Sequence, residues 1–426
     1  MSTLFNNKNI AKIIDNVFIV TKLNHKNIVK RFYMTGQVAY GDNYFPREKD
    51  EKRIWRRLNH GSHLLLLAPR RVGKTSLLRN LELKPENNYV FLYNIVQSCP
   101  TAHEYYERII ENLFESEFTD RLNKFTNWGK DALNDFRKSI KGLNFSEAGI
   151  EFENHERTLS HKDLKTVLDK ITIKEKLIIV IDEFPDVLEK IYTEQGHSAA
   201  ESFLSGCREL WQDPALDQKV QFIFTGSIGL DSLVHKLNLS DLINVLINVS
   251  VDPFKEEKAF EFIDFILNKS QEDIMLSKQV KKYLLSKVKW YMPYYIEILL
   301  LSLEDYCCEH EITKPSNEHI NGAYEQLFSQ NYLSNFNHWA ERLERLSKID
   351  NDFAHIILNH IAHNETITPQ EIYNFKEAPQ VIEVNSKYVI ECLIHDGYIY
   401  ETTAEEYQFT SPMLKEWWGR YANKKL

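Results

Sequence analysis

Glycine is scarce in this chain, with 14 in 426 residues, roughly half the usual share of ~7%. Glycine serves where the backbone must take a positive φ or approach another group closely. Each one that remains therefore marks special geometry. Long apolar runs are also missing. The longest, Leu64 to Ala68 and Leu177 to Ile181, reach about five residues, against the ~20 that a membrane span needs. The start, Met1-Ser2-Thr3-Leu4-Phe5-Asn6-Asn7-Lys8, lacks the charged-then-apolar layout of a secretory leader. Five scattered cysteines (Cys99, Cys207, Cys307, Cys308, Cys392) include no C-x-x-C. Neither a zinc ribbon nor a disulfide framework is supported, and reduced thiols in the cytoplasm are the expectation. Positive charge is not in excess either. Lys+Arg 52 against Asp+Glu 61 gives −9, which excludes a chain-wide basic surface for nucleic acid and leaves only a local patch.

What is present is an ordinary globular composition, 43% hydrophobic and 27% charged, long enough for two to three domains. A charged helix is expected near Glu48 to Leu58. From Gly61 onward strands and helices alternate. His63 to Ala68 reads as a buried strand, Thr75 to Leu83 as a helix, Tyr89 to Val96 as a strand and Thr101 to Glu117 as a helix. A hairpin is expected around Leu143 to Phe152 and a helix over Asp163 to Ile171. Leu177 to Ile181 is a strand, Ala199 to Trp211 a helix, Val220 to Thr225 a strand, and Leu242 to Val251 the last strand. Such alternation implies right-handed crossovers and a mostly parallel sheet. After Pro253 the pattern turns helical.

The clearest chemistry lies in Ala68-Pro69-Arg70-Arg71-Val72-Gly73-Lys74-Thr75-Ser76. A loop of the form G-x-x-x-x-G-K-[ST] between a strand and a helix binds phosphates, and here only the first glycine is replaced, by Ala68. Gly73 lets the loop curl so that backbone N–H groups face a β-phosphate. Lys74 reaches the β- and γ-phosphates, Thr75 offers a hydroxyl to Mg²⁺, and the following helix aims its positive end at the anion. The run Ala68 to Ser76 is the expected nucleotide contact. A second motif supports it: Leu177-Ile-Ile-Val-Ile-Asp182-Glu183. Asp182, at the strand's carboxyl end, would join Thr75 in holding Mg²⁺. Glu183 would orient and polarise the attacking water. A third strand ends in Thr225-Gly226-Ser227. Thr225 or Ser227 is a candidate contact to the water or γ-phosphate, with a plain strand-to-loop turn as the alternative.

Together, APRRVGKTSLL, VIDEF and FIFTGSIGL resemble the additional-strand P-loop ATPases of the archaeal-ATPase and STAND type, neighbours of AAA+. The resemblance implies a five-stranded core in the order 5-1-4-3-2, ATP and Mg²⁺ as cofactors, and nucleotide-driven switching. In that family the block matching Asp42 to Leu58 packs near the adenine, with Arg47-Glu48 matching a family Arg-Glu pair. Trp290-Tyr291-Met292-Pro293 resembles a signature whose proline, here Pro293, lies near the base; Tyr291 stands where the family has glycine. The tail from Leu393 to Trp418 resembles a C-terminal winged helix. The implied domains are an N-terminal extension over 1–35, a P-loop ATPase core over 36–253, a helical lid over 254–338 and a winged helix over 339–426.

Hydrolysis in such proteins is helped by a cation on the γ-phosphate. Arg208 is the finger candidate, a surface or structural role being its alternative. Arg70 and Arg71 face either solvent or a partner. No arginine follows Pro293 in the helix Tyr294 to Leu303, so a sensor arginine is not expected there. In the tail, helices over Asp352 to His363, Pro369 to Phe375 and Asn385 to Asp396 precede a wing at Tyr398 to Phe409, a winged-helix layout. Residues 340–426 hold nine Lys+Arg against fourteen Asp+Glu, net −5, which repels phosphate. Protein docking or autoinhibition is thus favoured over DNA. Trp417 and Trp418 would pack this unit closed.

The leading expectation is an ATP-binding protein, an ATPase that works as a nucleotide-driven switch on a protein partner or on its own assembly, as in bacterial defence or signalling. The alternatives are a DNA-associated ATPase that uses its winged helix, and a scaffold that binds ATP without hydrolysing it.

Overall fold

The computed structural model describes residues 36–86, 88–114, 143–146, 149–152, 158–171, 175–226, 230–270, 273–344, 346–376 and 384–422. After a charged helix α1 (Glu48–Asn59) come β1 (Leu64–Leu67), α2 (Lys74–Leu83), β2 (Tyr89–Ile95) and α3 (Ala102–Phe114). The expected hairpin is present as β3 (Leu143–Ser146) and β4 (Gly149–Phe152), paired antiparallel. Then follow α4 (His161–Lys170), β5 (Lys176–Asp182), α5 (Phe184–Gln195), α6 (His197–Trp211), β6 (Val220–Thr225), α7 (Leu230–Lys236) and β7 (Ile247–Ser250).

Five of these strands form one sheet in the order β2-β5-β6-β1-β7, every pair parallel. Counted as five core strands in chain order, this is the expected 5-1-4-3-2. A strand's side chains alternate between faces, and here each face has its own core. Leu64, Leu66, Phe91, Ile178, Val180 and Ile223 look one way, toward α1 and α2 through Ile54, Leu58 and Leu77. Leu65, Leu92, Leu177, Ile179, Ile181 and Phe224 look the other way, onto α3 to α6. Burial on both faces is why these strands read as unbroken apolar runs.

Two details of the reading change. The last strand begins later than Leu242, because Ser240–Ile243 is a turn of 3-10 helix and pairing starts only at Ile247. In addition, α5 fills the stretch between β5 and α6. Its helix starts at once because Glu183 takes φ +63 and Pro185 stands in the first turn, a position that suits proline.

Beyond Pro253 lie α8 (Glu256–Leu267), α9 (Lys278–Val288), α10 (Pro293–Glu309), α11 (Asn317–Gln326) and α12 (Ser334–Leu343). The tail has α13 (Lys348–Asn364), α14 (Pro369–Lys376), α15 (Ser386–His395), the antiparallel pair β8 (Ile399–Glu401) and β9 (Tyr407–Phe409), and α16 (Pro412–Trp417). This is the expected order of three helices and a hairpin. Trp417 and Trp418 are buried, with Trp418 Nε1 donating to Asn359 Oδ1 at 2.8 Å. A single apolar cluster runs from the first face of the sheet through α8 to α12 and into this tail. Among the described residues no helix is long and apolar enough to cross a membrane.

Candidate functional site: the phosphate loop and its roof

β1 delivers the chain to the carboxyl edge of the sheet, where Ala68 to Gly73 turn into α2. The loop's positive-φ positions are Arg71 (φ +64) and Gly73 (φ +96). The departure at Ala68 therefore falls where no left-handed backbone is demanded. At Gly73 glycine is required by φ, and a Cβ built there meets nothing within 4 Å, so the space over the loop is open. Lys74 is 8% exposed, and its Nζ donates to the Ala68 carbonyl at 2.8 Å. Burial lowers its pKa to about 8; the carboxylates of Glu183 and Asp182 pull it back up, and the Arg342 charge pushes it down. Such a lysine is a cation in search of an anion.

Asp182 ends β5, in register with Thr225 at the end of β6. Its Oδ2 accepts from Thr75 Oγ1 at 3.3 Å and from Tyr93 OH at 2.5 Å. Burial, and next the Glu183 charge among the raising influences, push the Asp182 pKa up against the hydrogen bond from Tyr93. Thr225 is fully buried, and its Oγ1 has no partner among the described residues. An unsatisfied buried hydroxyl costs about 1–3 kcal/mol, and this one sits at the strand end beside Asp182. Ser227 lies outside the described residues.

Phosphate and a hard divalent cation fit these residues. Lys74 and the α2 N-terminus supply positive charge, while the Thr75 and Asp182 oxygens form the start of the oxygen set that Mg²⁺ prefers. A cavity of about 190 Å³ rises over the loop. Pro69, Arg70, Arg71, Val72, Gly73, Lys74, Thr75 and Ser76 line its floor, and Asp182 and Glu183 line it on the side of β5. Tyr44, Phe45, Phe254, Phe262, Pro293 and Tyr294 supply apolar wall, suited to a flat base. Pro293 is part of this wall, and Tyr291 is not among the residues that line the cavity. Ala68 contributes only its carbonyl, from below.

Arg47 lines the same cavity yet is already engaged. Its Nη1 donates to the Val72 carbonyl at 2.6 Å, its Nη2 to the Asp252 carbonyl, and its Nε to Asp50 at 2.8 Å. It braces the loop against the exit of β7. Other straps cross the loop from the chain's first described residues. The Ala39 N–H donates to Ser76 Oγ at 3.0 Å, and Arg71 reaches the Gly36 carbonyl at 3.3 Å while lying 4.5 Å over the Tyr294 ring.

Arg208 does not join the site. It sits near the end of α6, where its Nη1 donates to the Asp241 carbonyl and, at 2.8 Å, to Asn244 Oδ1. Three residues on, the Trp211 carbonyl contacts His63, just before β1 begins. That is the amino edge of the sheet, opposite the phosphate loop. The expectation of Arg208 as a finger is therefore not met within one chain.

A different arginine, missed in the sequence, comes from the helix just before the tail. Arg342 on α12 is 4% exposed. It forms a two-pronged bond with Asp396, Nε to Oδ2 at 2.5 Å and Nη2 to Oδ1 at 2.7 Å, while its Nη1 is buried without a partner among the described residues. Burial works against its charge, yet Asp396 and Glu183 hold its pKa above the ordinary arginine value. Beside this pair, a Cβ built on Gly397 (φ +84) would stand 3.0 Å from the Trp290 ring and 3.5 Å from the Pro69 Cβ. The corner between α15 and β8 thus rests on the phosphate loop itself. Lys236 on α7 adds a second tie, 3.6 Å from Asp350 and 4.2 Å over the Tyr388 ring.

Comparison with known proteins agrees with this geometry. A family model described as an AAA domain matches residues 56–234. A Walker-type ATPase of Pyrococcus abyssi aligns at 15% identity over 90% of this chain and 99% of that one, with a TM-score of 0.58. The Aeropyrum pernix ORC2 protein in its ADPNP–ADP complexes (12% identity, 88% and 93% coverage, TM-score 0.49) and the RuvB Holliday junction branch migration motor of Thermotoga maritima (13%, 87% and 94%, 0.41) are more distant and carry no argument. No curated protein matches the sequence. With the loop, the Asp182 strand and the 5-1-4-3-2 sheet in place, residues 56–234 have the P-loop NTPase fold and are similar to an AAA domain.

Proposed function

We propose that this protein is an ATP-driven switch: it binds ATP with Mg²⁺ on the Ala68 to Ser76 loop, hydrolyses it slowly, and relays the state of the loop to its tail. The observation that carries this reading is the seat of Gly397 on Pro69, with the buried Arg342–Asp396 pair beside it. A tail that touches the loop must respond to what the loop holds.

Bound Mg²⁺·ATP would supply a γ-phosphoryl group open to in-line attack by water. The chain's own groups do the rest. Lys74 exchanges its bond to the Ala68 carbonyl for phosphate oxygens. Thr75 and Asp182 hold the cation. Glu183, in its left-handed turn at the head of α5, takes a proton from water, and Thr225 offers its unpaired hydroxyl. Arg342 brings a positive charge that acts on both Lys74 and Glu183. Phosphate at Lys74 changes the field around the Arg342–Asp396 pair, and loop movement at Pro69 pushes directly on Gly397. Partner or self-assembly then reads the tail, which is acidic and suits protein rather than nucleic acid.

Hydrogen exchange over residues 384–409, measured without nucleotide, with ADP·Mg²⁺ and with ATP·Mg²⁺, tests the switch. We expect the protection of α15 and β8 to differ between these states. Identical protection in all three would remove the switch, and absence of ATP binding would remove the nucleotide reading as well.

A further inference from the structure

The site contains one polar group that a nucleotide-binding loop does not by itself require. Tyr93 lies in β2, which pairs with β5. Its neighbour on the same face, Phe91, shows that a bare ring satisfies this layer; both are buried in the same apolar cluster. Tyr93 adds a hydroxyl, and that hydroxyl donates to Asp182 Oδ2 at 2.5 Å. The same oxygen takes the Thr75 hydroxyl at 3.3 Å. On the other side of the ring, the Arg79 guanidinium of α2 lies 3.7 Å from the ring centroid, itself held by Glu82 at 2.7 Å. The ring is therefore fixed by a cation as well as by packing.

Resting on the reading of Thr75 and Asp182 as the cation's ligands, we propose that Tyr93 is a positioning residue for the divalent cation. A carboxylate with no partner turns about its last torsion, which is broad and roughly two-fold. Two donors on Oδ2 pin the plane of Asp182 and leave its other oxygen to the cation and its water shell. Hydrogen bonds from outside the ligand set orient metal-binding carboxylates in this way, and losing one costs ~10–100-fold in metal affinity. Arg79 strengthens the arrangement twice over: it immobilises the ring and draws electron density from it, making the phenol a better donor.

The test is the Mg²⁺ dependence of ADP binding, followed by calorimetry, in wild type, Tyr93→Phe and Arg79→Gln, with a parallel titration in EDTA. For Tyr93→Phe we expect the half-saturating Mg²⁺ to rise about tenfold while ADP affinity in EDTA stays as in wild type. For Arg79→Gln, which keeps the hydroxyl, the rise stays within about threefold. Tyr93→Phe with wild-type Mg²⁺ dependence overturns the proposal. So does an equal rise in both variants, since ring packing would then carry the effect. Independently of any substitution, the Cζ resonance of Tyr93 in ¹³C-tyrosine-labelled wild type should move when Mg²⁺ joins the ADP complex, and an unmoved resonance also overturns it. A wild type whose ADP affinity ignores Mg²⁺ overturns the cation site itself, a result distinct from the others.

Discussion

Gly397, in the tail, lies against Pro69 in the phosphate loop: a β-carbon on the glycine would stand 3.5 Å from that of the proline. The two positions are separated by most of the chain, and the same added carbon would stand 3.0 Å from the Trp290 ring. Alanine at this position meets two penalties. Its φ of +84 is unfavourable for any side chain, by about 1–2 kcal/mol, and the new methyl presses on the Trp290 ring. We expect Gly397→Ala to lower the thermal midpoint by several degrees and to speed nucleotide release, as measured by stopped-flow with a fluorescent ADP. Unchanged release with a lowered midpoint would separate the tail from the loop.

Lys74 is expected to trade stability for binding. Its folded pKa of about 8 against an ordinary 10.5 corresponds to roughly 3 kcal/mol of strain held below pH 8. Lys74→Met removes the buried charge and keeps most of the volume. Its thermal midpoint without nucleotide should exceed the wild type's, while ATP binding by calorimetry is lost.

Glu183→Gln keeps the shape of the turn before α5 and removes the proposed base. ATP affinity should stay within a few-fold of wild type, and phosphate release should fall by ~10²–10⁴. A colorimetric phosphate assay reads the second quantity and calorimetry the first.

His63 sets a pH limit. Its Nδ1 accepts from the Phe222 N–H at 3.0 Å and its Nε2 meets the Trp211 carbonyl at 2.8 Å, so the neutral ring fits and the charged one does not. Burial lowers its pKa below the ordinary 6.5. A lowered histidine contributes stability in full above its unfolded pKa and loses it as pH falls. The thermal midpoint should therefore drop as pH falls below about 6.5, and His63→Gln should flatten that slope.

Much of this was legible in the sequence, for physical reasons. Strands buried on both faces are continuous apolar runs, so β1, β5 and β6 stood out, and the phosphate loop must follow a strand and open a helix. α5 was hidden because its first residues, Phe184-Pro185, resume the apolar run of β5 with only Asp182 and Glu183 between. Within one chain Arg208 takes its structural alternative, bonded to Asp241 and Asn244, because its place on a helix before β6 says nothing about which edge of the sheet that helix reaches. Tyr93 and Arg342 carried no local signal. A tyrosine in a strand is ordinary, and its partner Asp182 is 89 residues away. Arg342 finds Asp396 across 54 residues. Such pairs are made by topology, which one-dimensional spacing does not encode.

The brace at Arg47 bears on how the protein is made. It joins the Val72 carbonyl to that of Asp252, 205 residues beyond the arginine. A ribosome adding ~5–20 residues per second therefore completes the loop roughly 10–40 s before the segment that steadies it. During that interval the Arg47 tie is open at its far end. The brace therefore belongs to the finished domain and not to an early stage of its folding.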